Sequence, residues 1–190
     1  MLDKSIPYHE VWMVRSQENP LPSMTLPRGF HFVFYQSGDE QAWAEIETAV
    51  LEFAREQEAL AYFEQAFAPF PKQLSERMLF IEDEHGEKAA TCTAWWKEIN
   101  GEKIPLLHWL AVKPKFQRKG LAAALVAEVT KLLIETESEK PIYLHTQTWS
   151  HQAIQLYEKF GYELSPINLD ESKNEDYQKV LRILAQQKMN

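Results

Sequence analysis

Two apolar runs flanking an amphipathic helix limit the fold of this chain more than any other feature. Leu106 to Val112 (LLHWLAV) alternates with period two and is apolar on both faces, the pattern of a strand inside a sheet. Pro114 closes that strand, because proline has no N–H to give a ladder and it restricts the residue before it. A helix is expected from near Arg118 to around Glu139, with Ala122, Leu125, Val126, Val129, Leu132 and Leu133 on one buried stripe. Pro141 to Thr148 (PIYLHTQT) is the next strand. A strand, a crossover helix and a second strand in one sheet make a parallel β-α-β unit, so an α/β domain is expected.

The join between strand and helix breaks a local rule. A helix N-terminus carries partial positive charge, yet Lys113, Lys115, Arg118 and Lys119 surround this one. Gly120 stands in the expected first turn, where glycine costs about 1 kcal/mol relative to alanine in a helix interior. An anion held by the free N–H groups of the helix start accounts for both features. A solvated basic loop with an incidental glycine accounts for them as well.

Ahead of this unit, Tyr8 to Arg15 is a strand candidate and Ser16 to Pro27 a loop; residues 1–27 read as an N-terminal extension packing on a domain of residues 28–190. Gly29 to Tyr35 is an aromatic-rich first core strand. Ser37 to Glu40 has capping-box spacing before a helix with Trp43, Ile46, Val50 and Phe53 inward. Glu56 to Ala68 is a second helical run, either a separate helix or the far half of a bent one. Arg77 to Asp83 and Lys88 to Lys97 read as strands, and Asn100-Gly101 as a tight hairpin turn. Beyond the second apolar run, Ser150 is placed to cap a helix with Ala153, Leu156, Tyr157 and Phe160 inward. Gly161 ends it as a left-handed cap with Tyr162 closing the apolar contact. Leu164 to Leu169 reads as a possible strand, and Glu175 to Lys188, with Tyr177, Val180, Leu181 and Leu184 at helical spacing, as a helix against the alternative of a last strand.

Gln117-Arg118-Lys119-Gly120-Leu121-Ala122 resembles the Q/R-x-x-G-x-G/A signature of the GNAT superfamily, the acetyl-CoA-dependent N-acetyltransferases. The block from Ser150 to Tyr162, S-x-x-A-x-x-L-Y-x-x-x-G-Y, resembles the family's second conserved region. The resemblance covers about residues 28 to 163 and implies a single mixed-sheet domain with a splayed central sheet and helices on both faces. It implies acetyl-CoA as cofactor, its pyrophosphate held by backbone amides of Gln117, Arg118, Lys119, Gly120, Leu121 and Ala122. It implies a bulged strand whose Leu110, Ala111 and Val112 meet the pantetheine arm, with the Leu110 N–H on the thioester oxygen. Ser150 stands where the family commonly has Asn and Tyr162 where it has Phe; the serine weakens an implied pantetheine contact.

In this resemblance an amine attacks the thioester directly in a ternary complex. Tyr157 matches the family's general acid and, with a pKa near 10, stays protonated at neutral pH; it sits equally well as a core tyrosine. His108 is the candidate base, since imidazole titrates near working pH, against a structural histidine; Glu98, Glu102 and His145 are its rivals. Trp95, Trp96, Trp109 and Trp149 lie on or near strands, mostly as core. The alternative to an enzyme is a non-catalytic acyl-CoA-binding or regulatory module.

Charge narrows the partners. With 28 acidic and 20 basic residues the chain carries −8, the wrong sign for phosphate backbones, so nucleic acid is not expected. A small cationic or aromatic primary amine, or a peptide N-terminus, is the expected acceptor. Cys92 is the one cysteine, which rules out an internal disulfide, and the six histidines show no metal-ligand spacing. No apolar leader segment or 18-residue apolar run occurs, so the cytoplasm is the expected compartment and a monomer or homodimer the expected state.

Overall fold

The computed structural model describes residues 2–137 and 140–189. Its strands are β1 (Glu10–Arg15), β2 (Phe30–Phe34), β3 (Met78–Asp83), β4 (Lys88–Ile99), β5 (Glu102–Val112), β6 (Ile142–Gln147) and β7 (Glu163–Leu164). Its α-helices are α1 (Glu40–Ala49), α2 (Glu56–Ala66), α3 (Pro71–Arg77), α4 (Leu121–Thr136), α5 (His151–Lys159) and α6 (Tyr177–Met189). The strands hydrogen-bond in the order β2-β3-β4-β5-β6-β1-β7, one mixed seven-stranded sheet in an α/β fold. The parallel pair is β5 with β6, in register at Leu106↔Tyr143, as the β-α-β reading requires. Packing divides the chain into two units: Met1–Pro22, Trp96–Leu106 and Leu133–Asn190 in one, Ser23–Trp95 and Leu107–Leu132 in the other.

In the first unit β1 lies between β6 and β7, antiparallel to both, from Glu10↔Gln147 to Arg15↔Ile142 on one side and at Met13↔Leu164 on the other. Val11, Met13, Ile142 and Leu144 are buried there, and Val180 and Leu184 bury the inner face of α6. The tail is therefore the expected helix, whereas the possible strand from Leu164 to Leu169 shrinks to β7 and an isolated bridge at Ile167↔Lys173. Arg15 ends β1 fully buried, donating from Nε to Phe160 O (2.8 Å) and from a terminal nitrogen to Ser16 O (2.8 Å). Its other terminal nitrogen donates to Asn19 O. The guanidinium thus caps the C-terminal end of α5, the negative end of that helix.

In the second unit β2, β3 and β4 form antiparallel pairs, with an irregularity at Ile81/Glu82. The capping box is not formed at α1. Asp39, not Ser37, is the N-cap residue, and it is already helical. Glu40 instead accepts from Gly38 N–H and Tyr35 O–H, both at 2.9 Å. Two helices, not one bent one, follow, because the chain turns left-handed at Leu51 (φ +70°). The Leu51 N–H bonds to Thr48 O and the Glu52 N–H to Glu47 O, the paired bonds of a Schellman end with leucine in the usual glycine place. Leu51 is 60% exposed, so little packing offsets its conformation. Leu51→Gly is therefore expected to raise stability by about 0.5–1 kcal/mol, relief of left-handed strain outweighing the greater freedom of glycine in the unfolded chain. A urea midpoint that rises at constant slope checks this, and a lower midpoint would show that the leucine side chain contributes more than the strain.

Helix α3 was not apparent in the sequence, being too short for a periodic signal although Pro71 opens it. Helix α4 begins at Leu121 rather than near Arg118, since Arg118 (φ +62°) and Gly120 (φ +84°) are both left-handed. The end expected around Glu139 lies outside the described residues; the helix is described as far as Thr136. The Asn100-Gly101 turn has both residues left-handed (φ +52° and +81°), the geometry of a two-residue hairpin.

Candidate functional site

The second unit carries β5 beyond Leu106 and the loop after it. Trp109 interrupts the extended backbone of β5 with φ +50°, one residue before Leu110. A non-glycine residue there is uncommon, and an isolated one within a strand is the backbone mark of a bulge. The departure cancels one step of the side-chain alternation. His108 lies 6.4 Å from Phe67 and Trp109 5.4 Å from Trp43, and Phe67 and Trp43 belong to the same cluster, their rings 5.7 Å apart. His108, Trp109 and Leu110 are half-buried, while Ala111 and Val112 are buried. The His108 carbonyl accepts from the Cys92 thiol (3.7 Å), which is a fully buried core group whose pKa burial raises.

After β5 a 3-10 turn, Pro114–Phe116, leads into the loop. Gln117 donates from Nε2 to Val112 O (2.9 Å), so its side chain braces the strand end. The basic cluster proves to be half neutralised: Lys113 pairs with Glu45 and Glu87 (3.3 Å each) and Lys115 with Glu87 (2.6 Å). Hydrogen bonding from Lys115, aided by Lys113, holds Glu87 below the usual carboxylate range. Arg118 is exposed, and Lys119 lies over the rings of Phe30 (5.5 Å) and Phe116 (5.3 Å). The Gly120 carbonyl takes the first return bond of α4, from Ala124 N–H (3.1 Å), leaving the N–H groups of Leu121 and Ala122 without intrahelical acceptors. A Cβ built on Gly120 meets nothing within 4 Å. Glycine is thus required here by the positive φ and not by contact with the chain, and the space beside it suits an anion such as a diphosphate.

Gly120→Val accordingly carries two expected effects. Stability falls by about 1–3 kcal/mol, because a β-branched residue is strained at this φ. Any thermal shift given by coenzyme A is also lost, because the side chain fills the open space at Gly120. Melting curves with and without coenzyme A separate the two effects, and a variant that keeps the full shift contradicts the assignment of the loop.

The first unit carries Tyr157 and Ser150. Tyr157 is buried (6% exposed) on α5, its ring edge-on to Tyr162 at 6.1 Å. The buried face is Ile154, Tyr157 and Phe160, so the expected inward Ala153 and Leu156 are only half-buried. Gly161 (φ +81°) ends the helix as expected, with Gly161 N–H on Glu158 O and Tyr162 N–H on Tyr157 O (3.2 Å each). Ser150 holds the N-cap position but makes no side-chain cap bond. The chain enters α5 through the 3-10 turn Thr148–Ser150, so Ser150 is not in the extended conformation that presents a hydroxyl to the first turn.

The rival bases sit in plainer surroundings. Glu98 is exposed, and Glu102, also exposed, faces Lys140 at 3.8 Å. His145 packs on Trp12 (4.4 Å) and faces Glu10 (3.8 Å); burial pulls its pKa below the ordinary value. Trp95 is buried against Phe67 and Phe70, Trp96 lies under Lys103, and Trp149 donates to Ile6 O (2.8 Å). Among the described residues no group of three or more His, Cys, Asp or Glu is placed to hold a metal ion, and no helix is long and apolar enough to cross a membrane.

Residues 40–162 match the model of the acetyltransferase (GNAT) family, and the chain belongs to that family. Solved structures agree on the fold. A GCN5-related N-acetyltransferase from Sphaerobacter thermophilus is 21% identical with a TM-score of 0.64, covering 82% of this chain and 48% of its own. A GNAT-family acetyltransferase from Colwellia psychrerythraea is 10% identical with a TM-score of 0.64, covering 84% of this chain and 55% of its own. A tandem GNAT protein from the clavulanic acid biosynthesis pathway is 16% identical with a TM-score of 0.60, covering 86% of this chain and 52% of its own. The chain therefore spans about half the length of these structures. No curated protein matches it.

Proposed function

We propose that this protein is an N-acetyltransferase that moves an acetyl group from acetyl-CoA to a primary amine by direct attack in a ternary complex. The observation that carries the reading is the opening of α4 within the family match: left-handed Arg118 and Gly120 precede first-turn N–H groups without intrahelical acceptors, and the space at the Cβ position of Gly120 is uncovered. Backbone amides from Gln117 to Ala122 hold the pyrophosphate, with Arg118 and Lys119 adding positive charge. The kink at Trp109 turns the backbone beside Leu110, whose N–H supports the thioester oxygen, while Ala111 and Val112 contact the pantetheine arm. Ser150 adds a weaker pantetheine contact. The coenzyme supplies an activated acyl group; the chain must remove a proton from the amine and deliver one to the departing sulfur. His108 takes the first task and Tyr157 the second.

The acceptor in this reading is a small cationic or aromatic primary amine, or a peptide N-terminus, rather than nucleic acid, and the protein acts in the cytoplasm as a monomer or homodimer. Thiol release from acetyl-CoA across a panel of amines tests the function. Release that depends on the amine, with kcat/KM falling as salt rises, is expected. Coenzyme binding with no turnover on any amine would leave a non-catalytic acyl-CoA-binding module. A best substrate of net negative charge would overturn the acceptor assignment alone.

A further inference from the structure

Helix α1 carries a carboxyl group that the proposed chemistry does not use. Glu47 is 1% exposed, and its Oε1 has no hydrogen-bond partner. One turn earlier the indole Nε1 of fully buried Trp43 also lacks a partner. Buried polar atoms are almost always paired, so two orphans on one helix face require a reason. Everything around Glu47 opposes its ionised form. It sits in the last turn of α1, at the negative end of the helix. Burial, followed by the charge of Glu52, pushes its carboxyl well above the usual range. Besides Glu52, Tyr62 on α2, raised by burial and further by Glu47, and the buried thiol of Cys92 on β4 feel its charge.

Trp43, one turn before it, and Tyr62, which feels its charge, belong to a cluster of four aromatic rings. Trp43, Phe53, Tyr62 and Trp109 touch pairwise, with centroids between 5.1 Å (Tyr62–Trp109) and 6.1 Å (Trp43–Tyr62). Trp109 donates from Nε1 to the Tyr62 hydroxyl (3.3 Å) and lies nearly parallel to Phe53 at 5.5 Å. Trp43 is the buried member, whereas Phe53, Tyr62 and Trp109 each present surface. Aromatic faces and a carboxylate are the two features that bind an organic ammonium ion: the rings take its apolar body and part of its charge, and the carboxylate takes the rest. Through Trp109 this group adjoins His108 and Leu110 directly in the chain.

We propose that Glu47 with the rings of Phe53, Tyr62 and Trp109 is the acceptor subsite, and that it selects a primary amine with a compact aromatic or branched apolar body, its ammonium paired with the Glu47 carboxylate. The assignment rests on the acetyltransferase reading for the word acceptor; the binding site itself does not. Phe53 belongs to the linker between α1 and α2, near left-handed Leu51; in this proposal it is the ring that must move to admit the amine. Pairing with a cation favours the ionised form of a carboxyl whose pKa burial raises, so the proposal expects binding to release protons.

Calorimetry on the full chain with 2-phenylethylamine and 2-phenylethanol tests this, since the two share a body and differ in charge. The amine is expected to bind at least about 10-fold more tightly than the alcohol, about 1.4 kcal/mol of preference. Heats in buffers of different ionisation enthalpy are expected to show release of up to about one proton per amine below the Glu47 titration. In Glu47→Gln the amine loses its advantage and the proton release, while alcohol binding and the thermal shift with coenzyme A are unchanged. Equal binding of the two ligands by wild type, no proton release, or a Gln variant that keeps the preference overturns the subsite. The wild-type preference and proton count decide the matter if the variant does not fold. Glu47-dependent binding without thiol release from acetyl-CoA would reject the acetyltransferase reading and leave the ammonium site standing. Turnover of the amine with an unchanged KM in Glu47→Gln would do the reverse.

Discussion

Tyr157→Phe is expected to lower the rate of acetyl transfer about 10²-fold or more while coenzyme affinity hardly changes. The substitution removes one hydroxyl and keeps the ring. That ring is what packs α5, edge-on to Tyr162 and 6% exposed, so the helix and its Gly161 end stay in place. Loss of the hydroxyl alone costs stability on the order of 1 kcal/mol. A rate effect of two orders of magnitude corresponds to about 2.7 kcal/mol in the barrier, so the two effects are separable. A single-turnover assay is the proper reading, because it removes product release. An unchanged rate there makes Tyr157 a core ring and moves the proton donor elsewhere.

The second large effect falls on folding. Arg15 is a fully buried cation with no ion pair among the described residues, held by the carbonyls of Phe160, Ser16 and Asn19. Asn19 completes the arrangement by donating to Gly161 O (3.0 Å). A Cβ on Gly161 would lie 3.3 Å from Asn19 Cβ and 3.5 Å from Arg15 Nε, so the helix end, the strand end and the loop after β1 fit one another closely. Arg15→Met keeps much of the volume but strands three carbonyls. Hydrogen bonds from a charged group contribute about 1.5–3 kcal/mol each, not additively, so a loss of about 3 kcal/mol or more is expected. For a chain of this size that lowers the melting temperature by roughly 6–12 °C. Arg15→Lys is expected to fall between, since one ammonium on a shorter stem cannot reproduce the fork. A Met variant melting within about 2 °C of wild type would mean that these bonds contribute little net.

Local pattern and turn chemistry were legible in the sequence. The parallel β-α-β unit, the Asn100-Gly101 hairpin and the left-handed end at Gly161 each rest on a short-range rule, and each is where that rule puts it. What escaped depends on distant partners. Arg15 looked like a charge at the end of an apolar strand, and nothing nearby in sequence announces that its partners include a residue 145 positions on. Glu47 stands four residues after Trp43, on the inward stripe of α1, but no local rule announces that its carboxyl is fully covered. The capping box at Ser37 failed because Glu40 found Tyr35 and Gly38 instead. At the site, Gly120 and the basic loop were visible but the acids that neutralise Lys113 and Lys115 were not: Glu45 and Glu87 lie 68 and 26 residues from Lys113. The kink at Trp109 gave no sign beyond the resemblance, since tryptophan is an ordinary strand residue and rarely left-handed.

Binding of the coenzyme at the start of α4 underlies every step proposed for this protein, and the thermal stability of the wild-type chain in coenzyme A measures it most directly. At about 100 times the dissociation constant, a ligand that binds only the folded chain stabilises it by about 2.7 kcal/mol. For this length that is a rise in melting temperature of roughly 5–10 °C, expected with coenzyme A and acetyl-CoA alike and absent in Gly120→Val. A wild-type melting temperature that stays put as either ligand is raised to millimolar concentration would contradict the account at its root.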